Sequence, residues 1–568
     1  MLGQQKDRFS VPSALHVKTS AKTTGLRYWM LRVLDECEKV AAGFSADPVH
    51  DLRVALRRCR SMADGLMALD PDPEWKAMKK AGKQLFQRLG DLRDVQIMME
   101  WIEKLLPGSA GGNEVHGADS SRKDSQAPAE QEYSPAGRPN TATPASAPPK
   151  SADDSRHPVA HTLLQVLYAR EHEHKREAQL ALDAFDRKQW RHWSKSLPMR
   201  AARFRPGSVL FKHLALERWT EARALHTRAL RNRSQVALHQ LRIGIKRFRY
   251  IVENFLPEQH QACSDDLKHV QDLLGEVHDL DVLWTTALEC HVFPDQASRK
   301  RWHAVINEER EKRIKEYREK MSGPHSLWQV WRAALPEDSK LKTIATQRLK
   351  VWAKALDPDF AHSEHVARLA AKLYEDLSDA GLLGSAHGEN ERFTLVIAAL
   401  LHDVGRAKEQ KGHHKASFKL IRKYGTPLGC EPEDMKRAAI VARFHRGALP
   451  TKNQKTLRDL LLREQRIVVE LAAVLRLANA FDAAHDRRIH RVRIESPSLR
   501  AAARSDGKRY INGLPRKRVT LAANEAVVIA AEGYVAKSPT AQSIAAERYL
   551  LETILRHPVI VRTETSSK

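Results

Sequence analysis

Five cysteines in 568 residues are too few for a disulfide scaffold, and no two form a C-x-x-C pair. Cys37, Cys59, Cys263, Cys290 and Cys430 are scattered, which argues against a zinc ribbon and suits a reducing cytoplasm. Aromatic residues are scarce at 6%, whereas charged residues reach 29%, a balance that fits helical bundles better than β-sandwiches. Long apolar runs are missing. The longest, Leu395 to Leu401, is far too short to cross a bilayer, and the N-terminus has no apolar signal core. No glycine-rich phosphate loop of the Walker type is present. These absences predict a mainly all-α, soluble, cytoplasmic protein with no membrane partner.

Positive charge is in excess. The chain carries 95 Lys and Arg against 70 Asp and Glu, a formal net charge of +25. Such an imbalance points to a polyanionic partner. The length implies two or three domains. Residues 107–157 are rich in Pro, Ser, Ala and Gly and almost free of large apolar residues, so they read as a disordered insertion. Amphipathic helical patterns flank them, and strand patterns are rare before residue 490. Later, Val519-Thr520-Leu521 and Val527-Val528-Ile529 read as short strands and Ile544 to Leu555 as a helix. The expected layout is therefore a helical domain over 11–335, a second helical domain over 341–495, and a small α+β appendage over 496–568.

The first domain contains an internal repeat. Residues 49–60 read VHDLRVALRRCR and residues 238–249 read LHQLRIGIKRFR. His50, Arg53, Arg57 and Arg60 match His239, Arg242, Lys246 and Arg249 at identical spacing. Downstream, LGDLRDVQIM (89–98) echoes LGEVHDLDVL (274–283). On a helix the four basic positions of each copy fall within an arc of roughly 80°. The opposite side carries Leu52, Leu56, Cys59, Ala63 and Leu66 in one copy, and Leu241, Ile245, Phe248, Val252 and Phe255 in the other. Each helix thus packs by one face and turns a basic stripe outward. Like charges concentrated in this way are unfavourable unless an anion compensates them. Arg forks grip phosphate oxygens in pairs, Lys adds a point charge, and His gains charge beside an anion. Two facing stripes would make a channel for a linear phosphate chain.

These segments resemble the CHAD domain family over roughly residues 15–335, the insertion excepted. The resemblance implies two pseudo-symmetric four-helix bundles and inorganic polyphosphate held in a central basic groove. It implies contacts from His50, Arg53, Arg57, Arg60, His239, Arg242, Lys246 and Arg249, with Lys83 and Lys268, each shortly before an LG pair, as further candidates. Polyphosphate granules are a second expected location. A competing partner is nucleic acid. Residues 158–255 hold 20 Lys and Arg against 8 Asp and Glu, and RKQWRHWSK interleaves Trp190 and Trp193 with basic residues, as a base-stacking surface would. Two tryptophans packing one helix on another is the plainer alternative.

Around residue 400 the text LVIAALLHDVG runs an apolar helix into an adjacent His402-Asp403 pair, with Gly405 as a stop. Upstream, AHSEHVARLAAKLYEDL carries His362 and His365. Downstream lie GHHKAS, ARFHRGALP and LRLANAFDAAHD. Imidazole and carboxylate groups on successive helices suit a divalent metal such as Mn, Fe, Zn, Ni or Mg. A metal there would activate water and neutralise a phosphate. This region resembles an HD-type metal-dependent phosphohydrolase domain. More closely, it is similar to the helical C-terminal region of the exopolyphosphatase and guanosine pentaphosphate phosphatase family, over roughly 350–495. The resemblance implies His362, His402 and Asp403 as metal ligands and His402-Asp403 as the catalytic pair. It places His413, His414 and His445 near a second metal or the phosphate, with Lys411, Lys415 and Arg446 on substrate oxygens. Asn479 stands where the family has a metal-binding Asp, so Asp482 would have to substitute for it, and Ala416 stands where the family has a histidine. The family's own nucleotide-fold catalytic domain has no counterpart in the sequence. The expectation is polyphosphate capture joined to metal-dependent hydrolysis of polyphosphate or a related phosphorylated substrate. A non-catalytic polyphosphate scaffold and a nucleic-acid-associated protein are the alternatives.

Overall fold

The computed structural model describes residues 25–106, 158–232, 234–384, 388–495 and 525–564. The expected insertion at 107–157 and the expected strand at 519–521 lie outside them. The fold is mainly all-α, with, among the described residues, one small sheet near the C-terminus. The chain forms two compact units. Among the described residues, those within Met1–Ala63, Glu74–Arg205 and Glu221–Trp331 make the first, and those within Asp64–Pro73, Pro206–Thr220 and Arg332–Lys568 the second. Among the described residues no helix is long and apolar enough to cross a membrane.

The helices up to residue 333 are α1 (Leu26–Ala42), α2 (Ala46–Leu66), α3 (Pro73–Ala81), α4 (Lys83–Leu105), α5 (Pro158–Asp183), α6 (Arg187–Ala201), α7 (Val209–Asn232), α8 (Gln235–Phe255), α9 (Pro257–Glu289), α10 (Gln296–Met321) and α11 (Leu327–Ala333). The repeat maps onto equivalent helices, with α2 answering α8 and α4 answering α9. Leu52, Leu56, Cys59, Ala63 and Leu66 of α2 are buried, as are Leu241, Ile245, Phe248, Val252 and Phe255 of α8. The apolar stripe of each helix therefore faces inward, as its periodicity requires. Ser234 caps α8 by accepting from the Ala237 amide at 3.2 Å. The two copies share an apolar cluster in which Val95, Met98 and Ile102 of α4 meet Leu163 and Leu167 of α5 and Leu280, Leu283 and Ala287 of α9.

Helix α6 corrects the stacking-surface expectation. Trp190 is fully buried and Trp193 nearly so. The Trp190 indole N–H donates to the Met30 carbonyl of α1 at 3.0 Å, and the two tryptophan rings meet edge to face. Both rings fix α6 on its neighbour, so neither offers a face to a nucleic-acid base. Gly82 makes room for this packing, because a methyl group there would lie 3.3 Å from Leu56 and 3.4 Å from Trp190.

The second unit is built from α12 (Leu341–Leu356), α13 (Phe360–Asp379), α14 (Glu389–Leu401), α15 (His413–Tyr424), α16 (Pro432–Arg443), α17 (Lys455–Arg458), α18 (Leu462–Phe481), α19 (Pro539–Leu555) and three strands, β1 (Arg491–Glu495), β2 (Val527–Glu532) and β3 (Val559–Thr563). Strand β2 lies centrally, antiparallel to β1 and parallel to β3, and α19 makes the crossover. One core cluster joins α13, α14, α16 and α18 to the inner face of the sheet through Val492, Val527 and Ile529. The appendage thus packs onto the helical part rather than forming a core of its own. Strands β1 and β3 have no counterpart in the sequence reading.

Candidate functional site

The first cluster lies where the two repeats meet. Arg53 and Arg57 of α2 share one electrostatic environment with Arg242 and Lys246 of α8. Burial, reinforced by Arg242, Arg57 and Arg53, pushes the Lys246 ammonium down to about 7. The Nε atoms of Arg57 and Arg242 are buried without a hydrogen-bond partner. Each such orphan costs roughly 1–3 kcal/mol, which a bound anion would offset. The stripe is therefore partly buried rather than turned outward to solvent as the sequence implied. His50 is exposed and His239 partly buried, and both are lowered in pKa by burial and by the neighbouring cations. His239 pairs with His278 of α9, Nδ1 to Nδ1 at 3.4 Å.

Not every basic residue of the repeat joins this convergence. Arg60 donates to the Lys79 carbonyl at 2.7 Å and lies over the Phe86 ring. Arg249 sits 3.7 Å from Glu253, which Arg58 also contacts. Arg60 thus ties α2 to α3 and α4, and Arg249 braces its own helix. Lys83 is exposed at the start of α4, and Lys268 lies beside Asp272. Two acids were missed in the sequence. Asp94 lies 3.7 Å from Arg53, and burial pushes its repeat mate Asp279 up to about 6, with Asp94 adding to the shift against Arg242 and Lys246. Both close an LG-x-x-x-D segment, so identical spacing was the signal. Arg93, which bears on His50 and Arg53, occupies the position of His278 in the other copy.

The second cluster belongs to the second unit. Helix α14 ends at Leu401 and hands the chain to His402-Asp403 and a 3₁₀ turn at Val404–Ala407. Gly405 lies inside that turn and is not the helix stop. It permits a close approach: a methyl group there would lie 2.1 Å from the His413 carbonyl and 2.5 Å from the Ser417 amide. Ser417 Oγ donates to the His402 carbonyl at 2.6 Å and accepts from the Gly405 amide at 2.8 Å. These bonds tie the start of α15 to the His402-Asp403 pair.

Three imidazoles share one arrangement. His402, His413 and His445 each direct Nδ1 at the carbonyl three residues earlier, at 2.6, 2.9 and 2.7 Å. Their Nδ1 atoms are thus the protonated ones, and the Nε2 lone pairs are free. Those Nε2 atoms lie 3.7, 3.3 and 3.6 Å from Asp403 Oδ1. His413 and His445 point Nε2 at one another across 3.3 Å. His402 Nε2 and Asp403 Oδ1 are buried and make no hydrogen bond. Four acceptors without a donor repel, and a cation, or a proton on His413 Nε2, would offset that repulsion. Against burial, His402 and the other neighbouring imidazoles hold the Asp403 carboxyl well below the usual range, and Asp403 raises His413. Burial lowers His402, and lowers His445 strongly. Asp403 Oδ2 lies 2.7 Å from Arg406 Nε. The donors form two buried triads that share Asp403, namely His362-His402-Asp403 and Asp403-His413-His445. Imidazoles oriented by backbone carbonyls and one shared carboxylate fit a divalent ion.

His362 enters from α13. Its Nε2 lies 3.0 Å from Asn479 Oδ1 on α18, and its Nδ1 is 2.7 Å from Asp482 Oδ2. The other Asp482 oxygen accepts from the Arg487 amide at 2.7 Å. Asp482 therefore orients the His362 ring from behind and does not stand beside Asn479 as a replacement ligand. Asp482 raises His362 against burial. His485, also missed in the sequence, stacks on His362 with ring centroids 4.0 Å apart and bonds Asp359 at 2.7 Å. His414 lies outside the triads, next to Lys415, Arg443 and Arg446. Lys411 and Arg446 are exposed, and Ala416 is buried without a polar group to offer.

Comparison with protein families finds a CHAD domain over residues 30–288 and Ppx/GppA phosphatase, domain III, over residues 346–506. The first span holds the whole basic cluster and the second the whole histidine-aspartate cluster. Together the two domains support a polyphosphate-related role. No curated protein matches the chain.

Proposed function

We propose that the first unit binds inorganic polyphosphate at the convergence of Arg53, Arg57, Arg242 and Lys246, and that the second unit is a metal-dependent phosphohydrolase acting on polyphosphate or a related phosphoanhydride. The observation that carries the catalytic half is the buried cage of four acceptors on His402, Asp403, His413 and His445. His362, His402 and Asp403 would hold one divalent ion, and Asp403, His413 and His445 a second position. Mn, Mg, Zn, Ni and Fe are the candidates, with imidazole favouring the transition metals. When bound, such an ion supplies an activated water and neutralises phosphate charge. The protein's own part is to fix the imidazole lone pairs through the 399, 410 and 442 carbonyls and to hold Asp403 ionised against Arg406. In the first unit, Arg57 and Arg242 supply donors that lack any other partner.

Elemental analysis of purified protein tests the cage: a divalent transition metal should be present and should be lost on Asp403→Ala. A hydrolysis screen over the five metals, with polyphosphate, nucleotides and guanosine tetraphosphate, identifies the substrate. Asn479 favours a second reading. A neutral amide beside His362 Nε2 weakens the first triad, and a protein that binds no metal would be a polyphosphate scaffold, associated with polyphosphate granules, with a relic second unit.

A further inference from the structure

The support of the cage reaches beyond the carbonyls that orient its imidazoles. His445 lies two residues past the end of α16, in an irregular stretch of chain. A side chain on such a stretch is held only as firmly as its backbone. Here the backbone is gripped from α18. Arg476 is buried, and each of its three guanidinium nitrogens has an acceptor. Nη1 donates to the Phe444 carbonyl at 3.0 Å, and Nη2 donates to the Gly447 carbonyl at 3.2 Å. These two carbonyls bracket His445 in the chain. Gly447 takes a left-handed φ of +79°, where glycine carries no side-chain penalty. Within the bracket, the bond from His445 Nδ1 to the Ala442 carbonyl sets the ring itself.

The remaining nitrogen, Nε, donates to Glu547 Oε2 on α19 at 2.6 Å. A buried guanidinium is unfavourable without a counter-charge, and Glu547 supplies one. The planar fork holds three acceptors in fixed directions, which a single ammonium on a flexible stem cannot do. Glu547 comes from the C-terminal appendage. It lies three residues after Ile544 and four before Leu551, both of which are buried in the core shared with α18. Helical spacing therefore puts the carboxylate on the docked face of α19, where it meets Arg476.

We propose that Arg476 and Glu547 are a positioning pair for His445, so that the cage binds metal at full strength only with the appendage in place. The proposal rests on the reading of the cage as a metal site.

The test uses the full chain. Arg476→Lys keeps the charge and loses the fork. Glu547→Gln keeps an acceptor for Nε and loses the counter-charge. Leu555→Ala, in the α19 core but outside the pair, is the control for lost stability. Zn²⁺ and Co²⁺ affinities are read by competition with a chelator, the ligand field by the visible spectrum of the cobalt protein, and stability by thermal unfolding. Arg476→Lys should weaken both ions about tenfold to a hundredfold and shift the cobalt bands. Glu547→Gln should move both readings the same way by less. It carries the test if Arg476→Lys does not fold, because Glu547 is partly exposed. Leu555→Ala should lower the unfolding temperature and leave the cobalt spectrum unchanged. Wild-type affinity and spectrum in both pair variants overturn the proposal and leave the cage standing. So does a Leu555→Ala protein that loses metal in the same proportion to stability as the pair variants. A wild-type protein that binds neither ion overturns the cage reading instead. The pair is then read without metal, from the ¹⁵N shifts of the His445 ring. A fixed Nδ1–H tautomer that gives way to tautomer exchange in Arg476→Lys supports the pair, and a tautomer fixed in both variants overturns it.

Discussion

Raising the pH from about 6 to about 8 at fixed ionic strength should weaken polyphosphate binding roughly tenfold. The reason lies in the groups around Lys246. Arg242 on its own helix and Arg53 and Arg57 on α2 oppose its charge, Asp279 on α9 supports it, and burial lowers it to about 7. A bound polyanion reverses that field and restores the ammonium. Below about pH 7 Lys246 is already charged and binding needs no proton. One unit above, binding must take up a proton, at a cost of about 1.4 kcal/mol. Asp279 acts in the same sense. Its carboxyl titrates near 6, so acidification removes a negative charge from the groove and tightens binding further. Titrating long-chain polyphosphate by calorimetry in buffers of different ionisation enthalpy reads affinity and proton uptake together. Wild-type protein should take up close to one proton near pH 8, and Lys246→Arg should abolish that uptake and flatten the profile above about pH 7, leaving the Asp279 contribution near 6. A pH-independent affinity, or an unchanged slope in Lys246→Arg, would refute the placement of Lys246 in the anion site.

Three further outcomes follow from the packing. Asn479→Asp places a carboxylate beside His362 Nε2 and should tighten metal binding by at least about tenfold in a competitive chelator titration, since one charge near a partly buried ion is worth more than ~1.4 kcal/mol. An unchanged affinity would remove Asn479 from the site. Gly405→Ala drives a methyl group into the His413 carbonyl and should cost about 1–3 kcal/mol in thermal unfolding and lower metal content. Normal stability together with normal metal content would contradict the close approach. Trp190→Ala should cost about 3–5 kcal/mol of first-unit stability in denaturant titration. A loss of RNA binding without a loss of stability would instead return Trp190 to a stacking role.

The basic stripes and the His402-Asp403 pair were legible because both are local. Helical periodicity fixes which residues of α2 share a face, and a duplicated spacing marks that face as selected. The partners of each side chain were not legible. Arg60 and Arg249 are repeat mates at the same separation as Arg53 and Arg242 or Arg57 and Lys246, yet one reaches a carbonyl 19 residues away and the other braces Glu253. Asp94 and Asp279 sat in motifs already recognised, but only the packing of α4 and α9 shows that they face the arginines. Asp482 was expected to replace Asn479 because it lies one turn further on. Helix α18 ends at Phe481, so Asp482 leaves the helical path and reaches the far nitrogen of His362. Strands β1 and β3 pair with β2 across long stretches of chain, which no local pattern of five residues specifies.

Capture of polyphosphate by the first unit and its cleavage by the second are read together by ³¹P NMR of polyphosphate incubated with protein and each divalent metal. The orthophosphate signal should grow with wild-type protein. It should not grow with Asp403→Ala at any substrate level. With Arg53, Arg57, Arg242 and Lys246 replaced by Ala, it should be lost at low polyphosphate and recover at high polyphosphate. A wild-type protein that holds metal and binds polyphosphate yet leaves the spectrum unchanged would contradict cleavage by the second unit.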